Sequence, residues 1–260
     1  MSKIIAIANQ KGGVGKTTTT VNFGVGLAAE GKKVLLIDAD SQGNLSVCLG
    51  IKNPDDLCET FAKVFANVIE EQEYSIKDYI YHHTEGVDFI PCNIDLSGIE
   101  VSLVNVMSRE YILKQVLSEI DEEYDYILID CSPSLGMVTI NALAAANSVI
   151  IPVQAEYLPI KGLEQLIRTI YRVRSKINPN LQIMGILMTM VDNRTVMNRE
   201  IISQLENGYG QNLDIFRSKI PKSIRGTESE VMGQSIYAYD PNGKVAGAYK
   251  DFAKEVLENE

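Results

Sequence analysis

Short, continuously apolar runs alternate with longer stretches whose apolar positions recur every three or four residues, and this rhythm persists along almost the whole chain. Seven runs read as strands: 4–9, 33–40, 87–92, 124–131, 148–153, 183–191 and 215–221. Most are rich in Ile, Val and Leu with no polar alternation, the pattern of parallel strands buried on both faces. The intervening stretches 16–30, 108–121, 135–147, 161–177 and 195–207 have helix length. A last one, 245–260, puts Tyr249, Phe252, Ala253, Val256 and Leu257 on one helical face. Strand followed by helix, repeated, predicts an α/β fold: a doubly wound, mostly parallel sheet with helices on both faces. Residues 53–86 break the rhythm with a polar turn and acidic pieces, and are predicted as an added helical flank without a core strand. No repeat, low-complexity tract or linker interrupts the chain, which predicts one domain over residues 1–260.

Composition changes this picture in two places. Hydrophobic content of 45% and charged content of 22% are ordinary for a globular chain, and 260 residues suffice for a well-buried core. No apolar run approaches bilayer length, and the N-terminus enters a strand without a basic-then-apolar leader, so a cytoplasmic location is expected. Cys48, Cys58, Cys92 and Cys131 form no C-x-x-C pair, which predicts buried, reduced thiols. His82 and His83 have no second ligand cluster to make them a metal site. The net charge of −10 argues at first against a nucleic-acid partner. Its distribution reverses that argument. Residues 55–125 carry 17 acidic and 4 basic side chains, a net of −13, whereas residues 161–225 carry 11 basic and 5 acidic, a net of +6. The acidic segment reads as a solvated outer face; the basic one fits either a solvated face or an electrostatic footprint for a polyanion.

The chemistry begins at "QKGGVGKTT", residues 10–18. The general phosphate loop is G-x-x-x-x-G-K-[ST], and Gln10 stands where its first glycine belongs, followed by an additional lysine, Lys11. A strand precedes the loop and a helix follows it, as the motif requires. Gly12, Gly13 and Gly15 let the backbone curl so that successive N–H groups face phosphate oxygens. The helix N-terminus adds partial positive charge. Lys16 then reaches the β- and γ-phosphates and Thr17 places its hydroxyl on Mg²⁺. A nucleotide hydrolase also needs carboxylates at the carboxyl ends of neighbouring strands. The run 33–40 ends with Asp38 and Asp40, and 124–131 delivers Asp130 in the manner of a Walker B strand. Strand-end helix caps are the alternative for any one of these carboxylates taken alone.

"KGGVGKTT" (11–18) is the deviant Walker A signature of the ParA/MinD family of dimerising ATPases, and the chain resembles that family over nearly its full length. "DADSQGN" (38–44) resembles the family's switch I and "IDCSPSLG" (129–136) its switch II. "IPCNIDLSGIEVSL" (90–103), "MTMVDNRT" (188–195), "IPKSIR" (220–225) and residues 233–256 are similar to ParA partition proteins. The resemblance implies an ATP-sandwich dimer in which Lys11 reaches the phosphates held by the other subunit. It implies ATP and Mg²⁺ as cofactors, with Lys11, Gly12, Gly13, Val14, Gly15, Lys16, Thr17 and Thr18 cradling the phosphates and Pro221 and Ser223 meeting the base. The catalytic set would be Lys11, Lys16 and Asp40, the last orienting the attacking water, while Thr17, Asp38 and Asp130 support the metal. Arg194 and Arg225 match the family's DNA-contacting arginines, with Lys219 and Lys222 close in sequence, and all four fall in the basic segment.

The implied activity is a slow ATPase that partitions a plasmid or chromosome. It would bind double-stranded DNA non-specifically as an ATP dimer on the nucleoid, and a ParB-like centromere-binding protein would stimulate it. Because the loop begins at residue 11, no helix-turn-helix is expected ahead of it. The sequence departs from the family at Ser41 and Ser132, which replace switch prolines, at Ser223, which replaces a frequent asparagine, and at "GTESEVMG" (226–233), which replaces an acidic-Ala-Pro-Ser stretch.

Four rivals are weaker. A MinD-like membrane-cycling ATPase needs a basic amphipathic C-terminal helix, and "KDFAKEVLENE" ends in acids. An iron–sulfur ATPase needs cysteines placed to share a cluster, and Cys131 has no evident companion. A small-molecule ligase on the same fold leaves the basic segment unexplained. A scaffold that only binds nucleotide would have lost Lys16 or Asp40.

Overall fold

The computed structural model describes residues 1–155, 160–192, 196–210 and 213–259. Eight strands form one sheet: β1 Lys3–Ile7, β2 Val34–Ala39, β3 Tyr81–His82, β4 Asp88–Ile90, β5 Tyr126–Cys131, β6 Ser148–Gln154, β7 Gln182–Val191 and β8 Ile215–Pro221. Their spatial order is β3-β4-β2-β5-β1-β6-β7-β8. All neighbours pair parallel except β3 and β4. The helices are α1 Lys16–Ala29, α2 Asn44–Cys48, α3 Phe61–Ile69, α4 Leu96–Ser102, α5 Ile112–Ser118, α6 Met137–Ala145, α7 Ile160–Lys176, α8 Val196–Tyr209, α9 Ile224–Val231, α10 Ile236–Tyr239 and α11 Lys244–Glu258.

The seven strands expected from the apolar runs are all present. The stretch 53–86 supplies the expected helix, α3, but also β3, which extends the sheet by one antiparallel edge. Two residues are too few for a period to show in sequence. Helices α2, α4, α9 and α10 also went unforeseen, because helices of four to eight residues carry at most two turns of pattern.

Alternate residues of each central strand feed two separate cores, as the two-residue period of a strand demands. Ile5, Ile7, Leu36 and Leu128 meet Phe23 and Leu27 of α1 and Tyr249 and Phe252 of α11. Ile4, Ala6, Ile37, Ile127 and Ile129 meet Phe61 and Phe65 of α3, Leu143 of α6 and Leu166 of α7. Phe252 is fully buried, with its ring 4.9 Å from both Phe23 and Phe216, and so ties α1, α11 and β8 together. Each such side chain contributes roughly 1.5–3 kcal/mol by leaving water.

The central strand β1 sits between β5 and β6, and the chain departs from it first to one side of the sheet and later to the other. At such a point the connections diverge and leave a crevice beyond the carboxyl ends of the strands. Register places Asp130 beside both Ile7 and Asp38, so two carboxylates end neighbouring strands at the mouth of that crevice.

Candidate functional site

The loop between β1 and α1 is anchored before it turns. Asn9 donates from Nδ2 to the Pro152 carbonyl at 2.7 Å, and its Oδ1 accepts from the Lys11 N–H at 3.0 Å. Gly13 and Gly15 hold φ of +69° and +83°, left-handed values that cost an L side chain about 1–2 kcal/mol. Thr189 of β7 donates its hydroxyl to the Val14 carbonyl at 2.8 Å, which fixes the loop from the other side.

A cleft of about 530 Å³ opens over this loop. Its floor is Gly12, Gly13, Gly15, Lys16, Thr17 and Thr18; its walls include Asp40, Gln42 and Asn44 after β2, Pro133 after β5, and Pro221, Ser223, Thr227 and Glu230 around α9. The two lysines part company here. Lys16 lines the cleft, is 7% exposed, and donates from Nζ to the Lys11 carbonyl at 3.4 Å. Lys11 is not part of the cleft lining, and its Nζ donates to Gln154 Oε1 at 3.1 Å.

The carboxylates take three different positions. Asp130 is buried and its Oδ2 accepts from the Thr17 hydroxyl at 2.6 Å. Burial and the neighbouring Asp38 push its pKa up to about 8, against the opposing pull of Thr17 and Lys16. Asp38, expected to support the metal largely through water, accepts from the Ser46 N–H at 2.9 Å and its hydroxyl at 2.7 Å, and from the Asp40 N–H at 3.3 Å. Burial nevertheless raises it to about 6. These hydrogen bonds help to shape residues 40–46, and Asp38 itself is fully buried and is not part of the cleft lining. Asp40 lines the cleft and accepts from the Gln42 N–H at 3.1 Å.

Among the described residues no group of three or more His, Cys, Asp and Glu side chains stands ready to hold a metal alone. The donors that do meet, the Thr17 hydroxyl and the Asp130 carboxylate, suit a hard cation that takes its other ligands from phosphate and water, as Mg²⁺ does. The arrangement can therefore hold a phosphoanhydride: a glycine-rich loop lining the cleft, one ammonium, one hydroxyl–carboxylate pair and a second carboxylate on the rim.

An AAA-domain family model matches residues 2–183. The chain is 44% identical to the sporulation initiation inhibitor protein Soj of Bacillus subtilis (strain 168), with 100% of both chains covered. It is 41% identical to the chromosome-partitioning ATPase Soj of Treponema pallidum (strain Nichols), over 99% of this chain and 98% of that one. This chain is a member of the ParA-type partition ATPases. Among solved structures it is similar to a cobyrinic acid a,c-diamide synthase from Mycobacterium smegmatis with bound ADP and magnesium, with a TM-score of 0.87 and 36% identity, covering 100% of this chain and 95% of that one. As a ParA-type protein it is a P-loop ATPase.

The remaining expected residues of this partition ATPase spread along β8 and α9. Pro221 and Ser223 line the cleft, and Ser223 Oγ accepts from the Arg225 N–H at 3.2 Å to cap α9. Lys219 is half-buried, Lys222 and Arg225 are exposed, and Arg225 Nε lies 3.6 Å from Asp240 Oδ2. Arg194 lies outside the described residues. Three of the four cysteines are buried as expected; Cys58 is exposed, because it sits in the irregular stretch before α3. Among the described residues no helix is long and apolar enough to cross a membrane.

Sequence reasoning missed Gln154, Thr189 and Glu230. Glu230 accepts from the Thr18 hydroxyl inside the cleft, and burial raises its pKa against the pull of that hydrogen bond. The only signal for it was the departure at 226–233; its inward direction depends on the register of α9.

Proposed function

We propose that this partition ATPase is an ATP-switched dimer that carries DNA non-specifically and releases it on hydrolysis, the whole of residues 1–260 acting as one P-loop domain. The observation that supports this most is the divergence of the two lysines. Lys16 lines the cleft, while Lys11 is not part of the lining and its Nζ donates to Gln154. A second lysine placed beside the cleft's lining is suited to a second copy's phosphates, where closing two subunits neutralises charge in a water-poor site.

ATP and Mg²⁺ are the cofactors, supplying the transferable γ-phosphoryl group and the charge that offsets it. The loop N–H groups and Lys16 bind the phosphates, Thr17 and Asp130 hold the cation, and Asp38 positions the switch I backbone through Ser46. Asp40, on the rim, orients the attacking water. Pro221 and Ser223 flank the base. Lys219, Lys222 and Arg225 meet DNA phosphates, Arg194 joins them on the strength of its sequence match alone, and nucleoid association follows from that contact. A ParB-like protein is the partner that accelerates hydrolysis.

Binding to non-specific double-stranded DNA, measured with ATP, with ADP and without nucleotide across a salt series, tests the reading. Binding only with ATP, falling steeply as salt rises, is expected of phosphate contacts. Binding in none of the three states would remove DNA as the cargo.

A further inference from the structure

Helix α4 takes no part in lining the nucleotide cleft, yet one of its side chains reaches the element that ends switch II. Glu100 Oε1 accepts from the Val138 N–H, in the first turn of α6, at 3.0 Å. Helix α6 spans Met137–Ala145, and its cap residue, Gly136, has no side chain with which to satisfy the first-turn N–H groups. The acceptor that a Ser or Asp at the cap would supply locally comes instead from 38 residues away in sequence.

The backbone is shaped around this contact. A Cβ on Gly136 would overlap the Glu100 carboxylate, although its φ of −73° and ψ of −176° are open to any residue. An added Cβ would therefore displace the Glu100 carboxylate and leave the backbone conformation unstrained. Between β5 and α6, residues 132–135 form the switch II loop. One end is set by Asp130, bound to Thr17. The other is set by α6, where the Thr139 hydroxyl donates to the Ser134 carbonyl at 2.9 Å and the Gly136 N–H donates to Ser134 Oγ at 3.3 Å. Pro133, between these anchors, lines the cleft.

We propose that Glu100 is a positioning residue for ATP hydrolysis: its carboxylate fixes the first turn of α6 and so holds the switch II loop against the nucleotide. This rests on the reading of the cleft as the site of hydrolysis. A carboxylate at a helix N-terminus is favoured both as a cap and by the helix dipole. Without it the first turn of α6 frays, and the loop loses the anchor opposite Asp130. Contacts to the base and the α- and β-phosphates, made by other elements, stay in place.

The test compares wild type, E100A, E100Q, G136A and the double variant E100A/G136A. Steady-state hydrolysis with Mg²⁺, ADP affinity, melting temperature and amide exchange at Val138 are measured on each. E100A is expected to lower kcat about fivefold, the weight of one lost cap, with KM and ADP affinity nearly unchanged. Faster exchange at Val138 should accompany that loss. E100Q, which keeps the acceptor oxygen, should recover most of the rate and the protection. G136A alone should lower kcat by displacing the carboxylate, yet add no further loss in the E100A background, since the two sites are coupled.

Wild-type kcat in E100A would overturn the proposal. So would a lowered melting temperature with kcat and Val138 exchange unchanged, or losses in the two single variants that simply multiply. If E100A does not fold, E100Q and G136A carry the same comparison. A wild-type protein without ATPase activity would instead fail the reading of the cleft, while Val138 exchange would still report whether Glu100 holds α6.

Discussion

Asp130 illustrates the conflict that a phosphate site builds into single residues. Its position at the end of a strand was legible in the sequence, because an apolar run ending in a carboxylate beside a phosphate loop has few other uses. Its burial and its raised pKa were not: burial, the larger cause, follows from the packing of β5 inside the sheet, and the second cause, the Asp38 charge, arrives from a different strand. A carboxyl group raised from its ordinary value of 3.8 to about 8 binds more protons folded than unfolded between those limits. Its contribution to stability is therefore fully present below the lower value and is lost as pH rises through the upper one. Asp130→Asn keeps an acceptor for Thr17 and removes the buried charge. In nucleotide-free protein we expect this variant to melt with wild type near pH 4 and increasingly above it towards pH 8. Its Mg²⁺-dependent hydrolysis should fall by at least about 100-fold. Thermal melts over that pH range, beside an ATPase assay, check both halves; a melting gap that does not grow with pH would remove the charge from the account. The same logic separates Asp38 from Asp40. Their spacing showed that they alternate, but only Ser46, eight residues on, decides which of them turns away from the cleft.

Elements were legible in proportion to their length. The strands β1, β2, β5, β6 and β7 are mostly continuous apolar runs, and α7 and α11 are long and amphipathic enough to declare a face. Shorter pieces, such as α4 and α9, carry functional side chains on too few residues to show a period. Strand β8 shows what pattern alone omits. It ends the sheet, and unpaired edge groups need a partner. Glu255 of α11, 7% exposed, supplies one by accepting from the Arg217 N–H at 2.7 Å and the Ser218 N–H at 2.8 Å. Burial alone would raise this carboxyl, but the hydrogen bonds from Ser218 and Arg217 outweigh it and leave the pKa below 4.5. A depressed carboxylate stabilises the fold above its unfolded pKa and loses that contribution as pH falls through its folded value. Glu255→Ala should therefore cost about 2 kcal/mol at neutral pH. The difference from wild type should shrink in acid below the unfolded value. Denaturant melts at pH 7 and near pH 3 measure this; an unchanged difference would mean that packing, and not the charge, holds the edge.

At the scale of the whole molecule the proposed cycle turns on Lys11. Lys11→Ala is expected to fold and to bind nucleotide through Lys16, yet to remain monomeric with ATP in sedimentation or light scattering, and to hydrolyse ATP at least about 100-fold more slowly than wild type. A dimer that survives the change would place the dimer contact elsewhere. The sequence by itself determined the layered fold, because buried parallel strands must be apolar throughout and long helices must show a stripe. It also determined the phosphate loop, because only closely spaced glycines before a Lys-Thr pair can curl that tightly into a helix. What the tertiary structure decided is which side chains share the cleft. Glu230 from α9, Thr189 from β7 and Gln154 from β6 reach the loop across more than a hundred residues of chain. Glu100 reaches the end of switch II, and Asp38 accepts from Ser46. Those outcomes depend on strand order and helix register, which follow from the packing of the two cores as wholes and are written in no local pattern.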